Sequence, residues 1–162
     1  MMNGSEARAC GTGQSAITNL PAIDGSGYQV YGLNATGQLT GFFYVTLQHM
    51  NHAFLYQSGA LTDFGTLGGN TSVGYAINNT GDIAGQADLA SGGESHAFVT
   101  RQGLLLDLGT LGGPVSSAAA LNDAGQVAGC SLLADGSSTV AFLYANGVLQ
   151  NLGTLGSNYS TA

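Results

Sequence analysis

Motifs in this chain return at a spacing of 44 residues, and that fixed interval limits what it can fold into. His52-Ala53-Phe54-Leu55-Tyr56 recurs as His96-Ala97-Phe98-Val99-Thr100, and again as Val140-Ala141-Phe142-Leu143-Tyr144. Asp63-Phe64-Gly65-Thr66-Leu67-Gly68-Gly69 is followed by Asp107-Leu108-Gly109-Thr110-Leu111-Gly112-Gly113, then by Asn151-Leu152-Gly153-Thr154-Leu155-Gly156. Asn78-Asn79-Thr80-Gly81 has counterparts in Asn34-Ala35-Thr36-Gly37 and Asn122-Asp123-Ala124-Gly125. Residues 1–14 lack periodicity and read as a flexible lead. The repeat domain then covers 15–162: a partial unit 15–51, full units 52–95 and 96–139, and a partial unit 140–162.

Each unit divides into four short strand candidates. The aromatic-rich segment at His52 leads to Gly59, a residue that accepts the positive φ of a tight turn. The second strand begins at Ala60 and ends at Asp63-Phe64, ahead of the Gly-Thr-Leu-Gly corner. Leu67, Leu111 and Leu155 are placed to plug apolar space between units. In the third strand Val73, Tyr75 and Ile77 alternate with Gly74 and Ala76, so the first three are assigned to one face. The small face, with Ala118, Ala120 and Gly32, would let a neighbouring sheet approach closely. Asn-x-x-Gly predicts a type I turn closed by a left-handed glycine. Leu39, Ile83 and Val127 then supply the buried column of the fourth strand, and Gly41, Gly85 and Gly129 mark a close pass to another backbone.

These signals predict an all-β fold of tandem four-stranded antiparallel units, with helices disfavoured by 27 glycines. A radial array of such units is a β-propeller. The count implies a partial or open propeller, expected to be a fragment of a larger one, with compact closure or self-association through unpaired blade edges as the alternative. A β-solenoid with two coils per period is the runner-up, disfavoured because its coils wind in parallel and hairpin signals do not.

Charge narrows the partners. Lys and Arg number two and the net charge is −7, which leaves nothing to neutralise phosphates. Nucleic acid and anionic lipid surfaces are therefore excluded. No apolar run approaches the roughly 20 residues of a spanning helix, and the start lacks the basic-then-apolar plan of a signal peptide. Cys10 and Cys130 form no metal-ligand spacing; isolated thiols are favoured over a disulfide.

The sequence His-Ala-Phe-Leu-Tyr … Asp-Phe-Gly-Thr-Leu-Gly-Gly … Ala-Ile-Asn-Asn-Thr-Gly resembles the HAF repeat, over about residues 15–162. It departs at Val140, where His is replaced, and at Leu20-Pro21-Ala22-Ile23-Asp24 in the first unit. The resemblance implies an extracellular or envelope-associated bacterial protein with more units than are present here. It implies no activity.

Chemistry is sparse. His52 and His96 open successive units; they could form a metal pair or act as general bases, but Val140 in the same column favours a structural hydrogen bond. The column Asn19, Asp63, Asp107 and Asn151 keeps a side-chain oxygen in place. Amide at both ends favours bonding to turn N–H groups over a metal or ligand role. His49 and the loop acids Asp24, Asp88, Glu94 and Asp135 remain unassigned. No nucleophile elbow, phosphate loop, dinucleotide fingerprint or calcium nonapeptide is present. The sequence thus nominates no catalytic, metal or cofactor residue. It points to a non-enzymatic module whose loops bind a protein or glycan, with a polysaccharide lyase or hydrolase acting at a propeller mouth as the alternative.

Overall fold

The structure, a computed structural model, describes residues 27–154, 157 and 159–162. Within them the chain is all-β, with twelve strands and no helix. Strands β1 (Tyr28–Leu33), β2 (Leu39–Val45), β3 (Met50–Gln57) and β4 (Ala60–Asp63) form one antiparallel meander. A second comprises β5 (Gly68–Ile77), β6 (Ile83–Leu89), β7 (Ser95–Arg101) and β8 (Leu104–Gly109). The third is β9 (Gly112–Leu121), β10 (Val127–Leu133), β11 (Thr139–Ala145) and β12 (Val148–Asn151). Single parallel pairs, Asn51 with Thr71 and Ser95 with Val115, join the meanders into one open mixed sheet. The segment that opens at His52 therefore starts on the third strand of one meander and runs into the next.

The Asn-x-x-Gly hairpins form as their residues require. Gly37, Gly81 and Gly125 donate their N–H to the carbonyls of Asn34, Asn78 and Asn122 at 3.2, 3.2 and 2.9 Å. Each glycine sits at positive φ, between 74° and 85°, where a side chain would be strained. The asparagine side chains add a contact that local sequence does not reveal. Asn34 Nδ2 donates to the carbonyl of Asn78 at 2.8 Å, and Asn78 Nδ2 to that of Asn122 at 3.2 Å. One residue type thus closes its own turn with Oδ1 and ties that turn to the next meander with Nδ2.

Between turn and core lies an irregularity that recurs in every meander. Val30 pairs with Gly41 and Gly32 with Thr40, leaving Tyr31 as an extra residue. Tyr75 and Ala119 are extra in the same way between β5 and β6 and between β9 and β10. These are β-bulges, which break the two-residue alternation. The single-face assignment of Val73, Tyr75 and Ile77 is corrected accordingly. Ile77 packs with Ile83, Ala53 and Phe98 in one apolar cluster, whereas Val73 and Tyr75 line a surface cleft.

The bulge also explains the glycine column opposite. A Cβ on Gly41, Gly85 or Gly129 would lie 1.8, 1.9 or 2.1 Å from the carbonyl oxygen of Gln29, Val73 or Ser117. The close backbone pass expected from the recurring glycine is present at all three positions.

Successive meanders pack on one another through their third strands. Phe98 from β7 is buried against Ala53 and Leu55 of β3. Phe142 from β11 is buried against Ala97 and Val99 of β7. Phe43, Phe54 and Tyr56 form a third cluster with Tyr28 and Leu39. Leu67 and Leu111 pack at the cluster margins, in the inter-unit space expected of them; Leu155 lies outside the described residues. A serine, buried at Ser72 and Ser116 and half-buried at Ser160, makes the same pair of bonds in each repeat. Ser72 accepts the N–H of Ala53 and donates to the carbonyl of Gly65. Ser116 does the same with Ala97 and Gly109, and Ser160 with Ala141 and Gly153. These hydroxyls satisfy a donor and an acceptor where one meander hands over to the next.

Candidate functional site

The two histidine columns resolve into pairs. β3 and β4 run antiparallel, and Phe54 pairs with Asp63. This brings His52 Nδ1 to 2.9 Å from Asp63 Oδ1. His96 Nδ1 lies 2.9 Å from Asp107 Oδ1. A carboxylate only accepts, so Nδ1 carries the proton in each pair. The same carboxylates accept the N–H of Gly65 and Gly109, both at 2.7 Å. Asn151 Oδ1 accepts from Gly153 at the same distance. The oxygen column thus bonds turn N–H groups in three successive turns, and where Val140 removes the imidazole the acid is replaced too. Asn19, the first member of that column, lies outside the described residues.

That coupling gives an expected result. In a double-mutant cycle, His52→Val should be destabilising and Asp63→Asn should largely offset it, because the pair then copies Val140 and Asn151. The coupling should be about 0.5–1.5 kcal/mol, as for a partly exposed charge-assisted bond. Additive single-mutant effects in urea unfolding would show that the columns are independent.

Most of the other titratable groups engage neighbours, some in their own hairpins and some across to the next meander. His49 adopts a left-handed backbone, φ 56°, in the β2–β3 turn, with Nδ1 2.7 Å from the Tyr44 hydroxyl. Glu94 accepts from the Ser91 hydroxyl at 2.7 Å. Arg101 donates to Asp82 at 2.8 Å and to the Gly125 carbonyl at 2.9 Å, clamping two turns together. Asp123, on the same rim, accepts from the Asn79 backbone and side chain, which lowers its pKa. Asp24 and Cys10 lie outside the described residues. Cys130 is a free thiol, with its pKa raised by burial.

Asp135 shows the strongest local effect. The Ser138 hydroxyl, the Ser138 N–H and the Ser137 N–H all bond its carboxylate, and its pKa falls from 3.8 to about 2. A depressed carboxyl stabilises the fold fully above the unfolded pKa, and the benefit is lost as pH falls through the folded one. The β10–β11 turn should therefore hold at pH 4 and loosen towards pH 2. Carbon-13 titration of the Asp135 carboxyl should give its midpoint near that lower value; a midpoint close to 3.8 would mean that the three bonds are absent in solution.

Asp88 differs from the rest. With Thr71, Val73, Tyr75 and Gln86 it lines a cleft of about 220 Å³ on the β5–β6 surface. Gln86 Nε2 donates to the Ser95 hydroxyl, which steadies the amide. The Tyr75 ring lies 5.5 Å from that of Tyr31, itself 6.2 Å from Phe42. Burial, then the neighbouring Tyr31, raises the Tyr75 pKa, so the phenol keeps its proton at neutral pH. Among the described residues, the Asp88 carboxylate, the Thr71 hydroxyl and the Tyr75 hydroxyl have no hydrogen-bond partner. Sequence reasoning named Asp88 as a loop acid but missed Thr71, Tyr75 and Gln86. The available signal was their column: Phe42, Tyr44 and Tyr31 precede Gln86, Asp88 and Tyr75 by one period, and Cys130, Leu132 and Ala119 follow them.

Comparison of the chain with protein-family models, with curated proteins and with solved structures finds no match in any of the three. Function must therefore be read from the side chains themselves.

Proposed function

We propose that this protein is a non-enzymatic binding module of the HAF-repeat type, built on a partial propeller and working at the cell surface or outside the cell. One observation carries the functional part. His52, His96, His49, Glu94 and Asp135 each engage a neighbour within their own hairpins. Hydrolysis of a glycosidic bond needs two carboxyl groups facing one reactant across a gap of roughly 5–9.5 Å. Asp88 is the acid of the cleft, and no second acid lines it. A lone carboxylate beside an amide and an aromatic ring suits recognition better than proton transfer.

The propeller reading draws on the stacking. β1 and β5 are in contact, as are β5 and β9, while the four-residue β4 and β12 lie at the far side of their meanders. A radial array has this arrangement, with first strands inward and last strands outward. The location follows from the resemblance alone. Incubating the intact protein with plant and bacterial polysaccharides tests the functional reading. The expected result is retention of the protein on one or more polymers or protein ligands, with no new reducing ends and no unsaturated sugar. Release of either product, abolished by Asp88→Ala, would make the protein an enzyme.

A further inference from the structure

We propose that the Thr71–Tyr75–Gln86–Asp88 cleft is a saccharide site selective for neutral sugar rings over uronic or sulfated ones, an assignment that rests on the binding-module reading above. The first support is where the columns break. Residues needed to build the meanders and stack them recur: phenylalanine at 54, 98 and 142, serine at 72, 116 and 160, glycine at 41, 85 and 129. Of the cleft residues, Tyr75 follows Tyr31 by one period, but the polar residues Thr71, Gln86 and Asp88 do not recur. Gln86 stands between Phe42 and Cys130 in its column, Asp88 between Tyr44 and Leu132, and Thr71 precedes Val115. The fold tolerates apolar side chains at each of these places, so packing does not call for polar ones. The middle meander brings an amide, a carboxylate, a hydroxyl and a phenol to one concavity.

The second support is chemical. A pyranose offers an apolar C–H face and a rim of hydroxyls. A tyrosine ring matches the former with flat apolar area and a polar edge, and the Tyr31 ring contacts that of Tyr75 at 5.5 Å. A carboxylate and an amide oxygen match the latter: Asp88 accepts from two hydroxyls at once, while the Gln86 carbonyl accepts with its amide nitrogen held by Ser95. Size agrees as well. About 220 Å³ is smaller than the roughly 300–1,000 Å³ of a cofactor or drug-sized pocket, so one ring at a time fills it.

The third support is charge. The chain carries −7 with two cationic side chains. Arg101 is already bonded to Asp82 and Gly125. A uronate or sulfate in the cleft would face Asp88 with no cation lining the site, and like charges at close range oppose binding. The same deficit weighs against a polyuronate lyase, which must neutralise a carboxylate beside the carbon it deprotonates.

Calorimetric titration of the intact 162-residue chain with cellohexaose, xylohexaose, mannohexaose and a galacturonate hexamer tests this. At least one neutral hexamer should bind and the uronate should not. Asp88→Ala and Gln86→Ala should each weaken that binding by about tenfold, since each removes hydrogen bonds to a polar ligand. Tyr75→Phe should cost less than Tyr75→Ala, because it keeps the ring. Asp135→Ala, in a separate turn, should leave affinity unchanged, and thermal melts of the Asp88 and Gln86 variants should match the parent. Neutral-hexamer binding that survives both cleft substitutions would overturn the site but leave the binding module standing. Binding of the galacturonate as tightly as any neutral hexamer would overturn the selectivity. Silence with all four hexamers would overturn the saccharide assignment and leave a protein ligand. Cleavage of a bound hexamer would instead overturn the non-enzymatic reading.

Discussion

Gly85→Ala should destabilise the protein by at least about 3 kcal/mol and leave little of it folded at 37 °C. The added Cβ would lie 1.9 Å from the Val73 carbonyl oxygen, 2.9 Å from its carbon and 3.0 Å from the Gly74 Cα. All three are backbone atoms, so no rotamer change relieves the overlap. β5 and β6 would have to part at the bulge around Tyr75, where Ile83 and Ile77 enter the core. Gly92→Ala is the matched control. Gly92 has positive φ, 73°, but a Cβ there meets nothing within 4 Å. It should cost only the left-handed strain, about 1–2 kcal/mol. Urea unfolding followed by circular dichroism separates the two. A Gly85 variant no less stable than the Gly92 variant would mean that the bulge does not form as described.

Asn78→Ala should cost about 2–4 kcal/mol, and Asn122→Ala distinctly less. Asn78 is 4% exposed. Its Oδ1 accepts from the Thr80 N–H, the Thr80 hydroxyl and the Asp82 N–H at 3.1, 2.7 and 2.9 Å. Its Nδ2 donates across the junction to the Asn122 carbonyl at 3.2 Å. Alanine would strand these partners where water enters poorly. Asn122 is exposed, and among the described residues its amide bonds only Gln126, so water can replace what is lost. Asn78→Asp separates the two roles: the acceptor stays, but an oxygen replaces the donor facing the Asn122 carbonyl. This variant should fall between wild type and alanine. Equal stability of Asn78→Ala and Asn122→Ala would remove the cross-junction bond from the list of forces holding the meanders together.

The first prediction turns on a contact between paired strands of one meander and the second on a contact one period apart, and such contacts divide what was legible from what was not. Gly41, Gly85 and Gly129 could be marked as close passes because a glycine held at a non-turn position signals crowding. The crowding agent, a bulge at Tyr31, Tyr75 and Ala119, left no local signal: Val-Gly-Tyr-Ala-Ile alternates on paper. The histidine columns could be read as structural because Val140 tolerates the loss of imidazole. Their partners emerged only when β4 folded back on β3 and set Asp63 beside His52. Ser72, Ser116 and Ser160 went unremarked among many serines, yet each bridges a backbone donor and acceptor far apart in sequence.

Strand content and hairpin positions were determined by sequence alone, because turn chemistry is local and repeats every 44 residues. The pairing of whole strands into meanders, the phase of those meanders relative to the His-Ala-Phe tripeptides, and the gathering of Thr71, Tyr75, Gln86 and Asp88 into one cleft were decided only by tertiary structure. Those features depend on which surface of one sheet meets the next. A single bulge residue changes that face without changing the composition or the spacing of the motifs around it.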